Sequence, residues 1–257
     1  MVVSKEVQSV LEKLKKSGFE AYAVGGCVRD FLLEKEPKDW DVCTNAKPEQ
    51  IQKIFPKSFY ENKFGTVTVQ IKSKKPSLKE IQITTYRIDE KYTDKRHPDK
   101  VSFTGNLKDD LARRDFTVNA LALAPRIANR ESRIAYKIID YFEGQEDLKN
   151  KIIRAVGNPD ERFNEDALRM LRAIRFAVEL DFEIESETFK AIQKNSGWLG
   201  AIAKERIRDE LIKIIMSEKP EKGVELLREA NLLKYTIPEL EKGVGVSQNR
   251  HHIYTIY

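Results

Sequence analysis

Two aspartates separated by one residue are the strongest local indication of chemistry in the sequence. Asp39 and Asp41 flank Trp40 at the start of a run with strand character, WDVCT. Residues i and i+2 of a strand project to the same face, so both carboxylates could bind one ion. Magnesium prefers oxygen ligands and keeps positions open for water and phosphate. It can therefore bind a hydroxyl and a nucleoside triphosphate at the same time. An isolated pair with this spacing is more often a solvated surface pair, and the neighbouring sequence must decide between the two interpretations.

A glycine turn before the aspartates favours the metal site. The segment GGCVRD, residues 25 to 30, ends nine residues before Asp39 and separates a strand-like run from a helix-like run. Gly25 and Gly26 would let the backbone approach a phosphate, and the N–H groups at a helix N-terminus would face the anion. Arg29 adds a guanidinium suited to phosphate. A Gly-Gly pair alone is usually an ordinary turn, but the strand, turn, helix and carboxylate strand together predict a triphosphate site.

The elements that must position these residues follow from hydrophobic spacing and turn signals. The first helix is predicted from apolar residues at helical spacing, which are Val7, Val10, Leu11 and Leu14. Strands are predicted at AYAVG, WDVCT, TVTVQI and IQITTY, and helices at GCVRDFLL and PEQIQKIF. The segments VSF, DFTVNALAL and RIAYKIIDYF continue the mixed pattern. Residues 1–147 are therefore expected to form a mixed sheet with helices.

The second part of the chain has a different pattern. From Asp160 onward helical periodicity dominates, and few strand signals interrupt it. The sequence thus predicts an α+β protein with a mixed-sheet domain over residues 1–147, a helical domain over 148–217 and the start of a further helical domain over 218–257. The last residues, SQNRHHIYTIY, contain no helix stop signal or closing turn. We therefore expect the chain to be part of a longer polypeptide.

Composition and charge exclude several classes of protein. The 257 residues carry a net charge of +5 and are 40% hydrophobic, which permits a nucleic-acid partner and argues against disorder. No apolar run approaches the roughly 20 residues of a membrane span, and the N-terminus lacks the features of a signal peptide, so the cytoplasm is expected. The two cysteines, Cys27 and Cys43, are too few for a disulfide framework, and the histidines have no zinc-site spacing with them.

Five segments occur in an order that points to one family. They are GGCVRD with DWD, RRDFTVNALA, IIDYFEGQEDL, EDALRMLRAIRF and ERIRDELIKII. In this order they resemble the motifs of the class II CCA-adding tRNA nucleotidyltransferases and the bacterial poly(A) polymerases related to them. The resemblance implies a head related to DNA polymerase β, an all-helical neck and the start of a helical body. It also implies Mg²⁺ as cofactor, CTP and ATP as substrates, and the acceptor stem and 3′ end of tRNA as partner.

The resemblance also implies roles for particular side chains of the first domain. Asp39 and Asp41 become the magnesium ligands and the catalytic residues, while other residues contact the incoming nucleotide. The residues implied to bind nucleotide in this domain are Gly26, Arg29, Arg114 and Asn119. Two alternatives stay open, namely a solvated basic turn at Arg113 and Arg114, and Asp115 as a helix cap.

The segment EDALRMLRAIRF can be argued from base chemistry. Asp166 and Arg169 are three residues apart, so they would be neighbours on one face of a helix. A carboxylate accepts from the exocyclic amino group of cytosine or adenine, where uracil and guanine present a carbonyl. The pair would therefore accept C and A and reject U and G, at roughly 1–3 kcal/mol per mismatched group. Arg172 and Arg175 follow on the helix and could reach phosphates, and an ordinary salt bridge on a solvated helix is the alternative.

The sequence leaves open whether a third residue binds the metal and which nucleotides are added to the RNA. Where the family tends to have an acidic residue before the Thr-Thr pair, this sequence has Gln82, and Glu80 shares its strand face. The charged loop of residues 89–100 resembles the family's flexible element for switching from C to A, although a mobile solvated loop is the simpler interpretation. His251 and His252 form an adjacent pair, which by itself gives only weak support for an HD-type phosphohydrolase. The alternatives to CCA addition are an A-only or C-only enzyme, a poly(A) polymerase and a non-catalytic tRNA-binding module.

Overall fold

A computed structural model of the chain describes residues 3–61, 65–90, 100–125 and 136–246. These residues form two compact units, which divide between residues 150 and 151. None of the described helices is long and apolar enough to cross a membrane. Most of the charged loop of residues 89–100, together with His251 and His252, lies outside the described ranges, so the interpretations given for them stay predictions.

The first unit contains the mixed sheet and its helices. Its strands are β1 (Ala21–Val24), β2 (Asp41–Thr44), β3 (Ser58–Glu61), β4 (Thr66–Gln70), β5 (Glu80–Thr85), β6 (Arg87–Glu90), β7 (Lys100–Phe103), β8 (Leu121–Pro125) and β9 (Tyr136–Asp140). Its helices are α1 (Lys5–Lys16), α2 (Gly26–Leu32), α3 (Pro48–Ile54), α4 (Leu107–Ala112) and α5 (Gly144–Asn150). Short 3-10 helices lie at Pro76–Leu78 and Thr117–Asn119.

The main sheet, as far as the described residues show it, has seven strands in the order β3-β4-β5-β2-β1-β8-β9. β2 and β5 run parallel, while the other neighbouring strands run antiparallel. Val42, Ile83 and Val67 lie side by side on three adjacent strands and are fully buried. The alternation of apolar and polar residues in these strands thus determines which face of the sheet is covered. The expected mixed sheet of an α+β protein is confirmed.

Packing around β1 and β2 holds the aspartate strand in place. Helix α1 buries Val7, Val10, Leu11 and Leu14, as their spacing predicts, and it begins after Ser4, which accepts a hydrogen bond from the Val7 N–H at 3.3 Å. On the face of the sheet that carries Tyr22 and Cys43, helix α4 contributes two leucines to a buried cluster. The buried members of this cluster are Val24, Cys43, Tyr86, Leu107, Leu111 and Ala122.

The second unit is mainly helical. Its helices are α6 (Pro159–Glu165), α7 (Leu168–Leu180), α8 (Ser186–Asn195), α9 (Lys204–Ile215), α10 (Pro220–Glu229), α11 (Leu233–Thr236) and α12 (Pro238–Glu241). Two short parallel strands, β10 (Ile152–Ile153) and β11 (Glu183–Ile184), accompany the helices, so the unit is not composed of helices alone. A 3-10 helix at Ser196–Ala201 precedes α9.

One predicted helix differs in detail from the observed elements. The segment EDALRMLRAIRF was expected to be one helix, but Asp166 has extended backbone angles (φ −142°, ψ 105°) and separates α6 from α7. The Asp166 side chain accepts a hydrogen bond from the Leu168 N–H at this break, and aspartate competes with helices for backbone N–H groups in this way. The segment DFTVNALAL contains a 3-10 helix at Thr117–Asn119, and strand β8 begins at Leu121.

Candidate active site

The two aspartates lie where β2 begins. Asp41 is the first residue of β2 and is partly buried, whereas Asp39 is exposed in a bend before the strand, so only one of the two is a strand residue. Burial raises the pKa of the Asp41 carboxyl, the charge of Asp39 raises it further, and Arg114 opposes both effects. Without a cation, the negative charges of these two carboxylates are poorly compensated. They fit a hard cation, which would relieve both the desolvation and the repulsion.

The position expected for a third carboxylate holds an amide. Gln82 of β5 pairs in register with Asp41 of β2, on the neighbouring parallel strand. Glu80 lies two residues earlier at the start of β5 and is exposed. Within the part of the chain that the structure describes, no group of three or more His, Cys, Asp or Glu side chains could hold a metal ion. A site with two aspartates as its protein ligands therefore stays a prediction.

The turn before α2 depends on Gly25 rather than on Gly26. Gly25 has φ 81° and ψ −140°, and a Cβ atom at this position would lie 2.8 Å from Nη1 of Arg114. Gly26 is the first residue of α2, and a Cβ there would meet Arg29 at an ordinary 3.6 Å. The backbone of Gly25 thus has a conformation that residues with a side chain rarely adopt. The sequence signal for it was its place as the first glycine after the strand.

Replacing Gly25 with alanine is expected to lower the free energy of unfolding by about 1–3 kcal/mol, because a positive φ is strained for alanine. The new methyl group should also displace the Arg114 guanidinium. Gly26→Ala is the matched control, since Gly26 has helical geometry and alanine favours a helix by up to about 1 kcal/mol. Urea denaturation of both variants measures the difference. Equal stability of the two would show that the turn does not require glycine at position 25.

A continuous series of hydrogen bonds connects side chains from the segments GGCVRD and RRDFTVNALA. Arg29 of α2 donates from Nη1 to Oδ1 of Asn119 at 2.8 Å, although the two residues are 90 positions apart. Asn119 is buried and donates from Nδ2 to Oδ1 of Asp115 at 3.2 Å, and the same oxygen accepts from the Phe116 N–H at 2.8 Å. Arg29 also forms an ion pair with Asp30 at 2.7 Å. The expected nucleotide-binding residues Arg29 and Asn119 are therefore in direct contact.

Arg114 places a positive charge beside the glycine turn and Asp41. Its Nη2 lies 3.5 Å from Oδ2 of Asp110, while its Nη1 approaches Gly25. Its Nε is buried and has no hydrogen-bond acceptor among the described residues. Its charge lowers the pKa of Asp41. The Nε of this guanidinium therefore has hydrogen-bonding capacity left, which an anionic ligand could use.

The segment IIDYFEGQEDL supports the turn that carries Asn119. Thr117 of the 3-10 helix donates from Oγ1 to Oδ2 of Asp147 in α5 at 2.7 Å. Any side chain at Gly144 would overlap the carbonyl of Thr117, so glycine permits this close approach. Asp140 accepts hydrogen bonds from the N–H groups of Gly144 and Gln145 at the start of α5. The acidic residues of this segment therefore have a positioning role within the first unit.

In the second unit, Asp166 and Arg169 do not pair with each other. Asp166 forms a bidentate contact with Arg206 of α9, at 2.8 and 3.3 Å, and accepts from the Leu168 N–H at 3.1 Å. Arg169 pairs instead with Glu165 at 2.5 Å and donates to the carbonyl of Arg162. The geometry expected from an i,i+3 spacing on one helix was wrong, because Asp166 lies between helices. Arg206 is a partner that the spacing alone did not indicate.

Arg175 belongs to the interior of the second unit. It is 8% exposed, its Nε lies 3.3 Å from Glu210 of α9, and its guanidinium lies 4.3 Å from the ring centroid of Phe176. The expectation that it reaches phosphates stays a prediction, which this arrangement does not favour, since a buried paired arginine is held by its partner. Arg172 is partly exposed and lies near the same ring. It stays a candidate for phosphate contact.

Two protein-family models match the chain. Residues 21–154 match the "Poly A polymerase head domain", and residues 181–243 match the "Probable RNA and SrmB- binding site of polymerase A". A CCA-adding enzyme of Ligilactobacillus salivarius is 47% identical over 232 residues, which are 90% of this chain and 54% of the relative. A CCA-adding enzyme of Lactococcus lactis subsp. cremoris is 46% identical over 237 residues, which are 92% of this chain and 56% of the relative.

The chain is also similar to solved structures, again over little more than half of their length. The Bacillus stearothermophilus CCA-adding enzyme in complex with CTP has a TM-score of 0.79 at 36% identity, covering 95% of this chain and 57% of that one. The Thermotoga maritima CCA-adding enzyme complexed with tRNA has a TM-score of 0.72 at 26% identity, covering 96% of this chain and 55% of that one. The chain spans about half the length of the relatives that it matches.

Proposed function

Because the chain belongs to the family of the poly(A) polymerase head domain, we propose that it forms the catalytic part of an enzyme that adds C, C and A to the 3′ end of tRNA. CTP and ATP are the substrates, and each addition releases pyrophosphate. The observation that carries the proposal is that Asp41, the Gly25 turn, Arg114 and the Arg29–Asn119 pair belong to one unit. Relatives at 45% and 47% identity named CCA-adding enzymes support it. Solved neighbours with CTP or with tRNA support the choice of substrates.

Asp39 and Asp41 are the residues that would hold magnesium. When bound, the ion lowers the pKa of the attacking hydroxyl and neutralises charge on the phosphates. The 3′ hydroxyl of the RNA attacks the α-phosphate of the nucleotide, and pyrophosphate leaves. Arg114 supplies positive charge to the triphosphate, and the first turn of α2 offers N–H groups to its oxygens. Arg29 fixes Asn119, which contacts the sugar or a phosphate.

Base selection is assigned to Asp166 and Arg169 of the second unit. The bidentate contact with Arg206 holds the Asp166 carboxylate in one orientation, and the Leu168 N–H fixes the backbone that carries it. A fixed carboxylate accepts from the amino group of cytosine or adenine but faces a carbonyl in uracil and guanine, which leaves polar groups unmatched. Arg206 is therefore a positioning residue in this proposal.

Incorporation assays test the proposed function. The protein is incubated with Mg²⁺ and tRNA lacking its CCA end, with each nucleoside triphosphate alone and with CTP and ATP together. Extension by two residues with CTP alone and by a third with CTP and ATP supports CCA addition. Extension by C only, by A only or by a long A tract indicates one of the narrower enzymes. Tight tRNA binding without extension indicates a non-catalytic tRNA-binding module.

Asp166→Ala and Arg169→Ala are each expected to reduce discrimination against UTP and GTP by about 5- to 150-fold, the equivalent of roughly 1–3 kcal/mol. Arg206→Ala should act in the same direction by releasing Asp166. Arg208→Ala is the matched control, because Arg208 lies on the same helix and pairs with the adjacent Asp209 at the surface. The ratio of kcat/KM for CTP to that for UTP is the measurement. Unchanged selectivity in both Asp166→Ala and Arg169→Ala would contradict this account of base choice.

A further inference from the structure

A row of side chains crosses the sheet of the first unit from Asp41 to the sheet edge. Asp41 of β2 pairs in register with Gln82 of β5, and Gln82 pairs with Thr68 of β4. Thr68 pairs in turn with Phe59 of β3. Residues directly opposite each other on neighbouring strands project to the same face. The four side chains therefore share the face that carries the Asp41 carboxylate.

Phe59 lies at the outer end of this row. β3 is an edge strand of the sheet, and Phe59 is 56% exposed. Single exposed aromatic residues are common on protein surfaces, so exposure alone would indicate nothing. The distinguishing observation is the register, which aligns this ring with the carboxylate across polar Gln82 and Thr68. Aromatic side chains on an open sheet face are the usual platforms on which proteins stack the bases of single-stranded nucleic acid.

The length of the row fits a short stretch of RNA. Neighbouring strands are about 4.8 Å apart, so three intervals separate β2 from β3 by about 14 Å. A nucleic-acid strand rises about 3.4 Å per stacked nucleotide, and more when it is extended. The row therefore spans about two to four nucleotides upstream of a 3′ end at Asp41.

We propose that Phe59 stacks on a base of the RNA acceptor, about two to four nucleotides before its growing 3′ end. Exposed Gln82 lies beneath the nucleotides in between, next to Thr68, which is only 8% exposed. This inference rests on the function proposed above and specifies how its acceptor is held. The occupant is single-stranded RNA, because the faces of a base inside a duplex are covered by the neighbouring base pairs.

The proposal predicts an effect that depends on the step of addition. An acceptor that ends before CCA has a base-paired stem close to its 3′ end, whereas an acceptor that ends in CC presents several unpaired nucleotides. Phe59 can stack only on the second kind. It should therefore contribute to the addition of A and contribute little to the addition of the first C.

Steady-state kinetics of three variants test this on both acceptors. Phe59→Ala is expected to raise the KM for the acceptor ending in CC by about 5- to 100-fold. It should leave the KM for ATP and the first C addition unchanged, and Phe59→Tyr should restore the acceptor KM. Tyr60→Ala is the matched control, because Tyr60 is the next residue of β3, is 40% exposed and pairs with Val67 on the opposite face.

A fluorescent base provides a second measurement that reports stacking directly and does not depend on nucleotide transfer. 2-Aminopurine in the unpaired segment of the acceptor is quenched by stacking, so its emission should be low with the unaltered protein and higher with Phe59→Ala. Equal effects of Phe59→Ala and Tyr60→Ala, or equal effects on both acceptors, would overturn the proposal. If the unaltered protein transfers no nucleotide to either acceptor, the proposed function is overturned, and the 2-aminopurine signal still decides whether Phe59 stacks.

Discussion

Asp41→Asn is expected to reduce nucleotide transfer by at least about a thousandfold without loss of stability. A metal ion contributes several kcal/mol to the stabilisation of a phosphoryl-transfer transition state, and each 1.36 kcal/mol corresponds to about a factor of ten in rate. Asn keeps the shape of the side chain but supplies a neutral ligand, so the bound cation should be lost. Magnesium-dependent incorporation of CTP into tRNA is the measurement.

Stability separates this prediction from simple damage to the fold. Burial and the charge of Asp39 raise the pKa of Asp41 in the folded chain. The folded state therefore disfavours the ionised carboxylate, and neutral Asn should give an equal or higher free energy of unfolding at neutral pH without metal. The variant should be inactive and no less stable.

Glu80→Gln is the control for the number of ligands. Glu80 is an exposed carboxylate on the strand next to β2, two residues before Gln82. If Asp39 and Asp41 are the protein ligands, this variant should retain its activity. Loss of transfer in Glu80→Gln would show that a third carboxylate is required. Unchanged transfer in Asp41→Asn with magnesium would overturn the metal assignment itself.

Asp110→Ala should lower the free energy of unfolding by about 3–5 kcal/mol, the cost of removing one partner from a buried ion pair. The Asp110 side chain has no solvent exposure and pairs with Arg113 at 2.8 Å and with Arg114 at 3.5 Å. The Arg87 N–H also donates to it at 3.4 Å. Removing the carboxylate leaves two guanidinium groups partly buried without their shared counter-ion. Urea denaturation at pH 7 measures the loss.

The lowered pKa of Asp110 predicts that its contribution to the free energy of unfolding depends on pH. Burial raises the pKa of Asp110, but Arg113, Arg114 and their hydrogen bonds outweigh it, so the pKa in the folded chain is below 3.8. A lowered pKa means that the contribution to stability is present above pH 3.8 and is lost as the pH falls through the folded value. The difference between the unaltered protein and Asp110→Ala should therefore shrink in acid.

A neighbouring aspartate provides the control for this prediction. Asp109 lies on the same helix, is partly exposed and accepts a hydrogen bond from Thr104 at 2.9 Å. Asp109→Ala should cost about 1 kcal/mol, as expected for one ordinary hydrogen bond. A loss from Asp110→Ala no larger than that from Asp109→Ala would contradict the importance of the buried ion pairs.

Local sequence patterns predicted several elements of this protein and indicated candidate residues for its site. The alternation in IQITTY, the helical spacing from Val7 to Leu14 and the glycines after AYAV depend on interactions within a few residues, and the observed β5, α1 and α2 follow them. The residue types of GGCVRD and DWD indicated a phosphate and metal site, and the resemblance to the family added RRDFTVNALA to it. The edge strand β3 and the short helix α4 carry weaker patterns and were not predicted.

Which side chains meet could not be read from local patterns and was shown by the three-dimensional structure. Arg29 contacts Asn119 across 90 positions, and Asp166 pairs with Arg206 across 40. Spacing within one helix had suggested Arg169 instead. Sheet register likewise aligned Phe59 with Asp41, through pairings that no local pattern specifies. The physical reason is that periodicity determines which face a residue occupies, whereas the partner on that face depends on packing between distant parts of the chain.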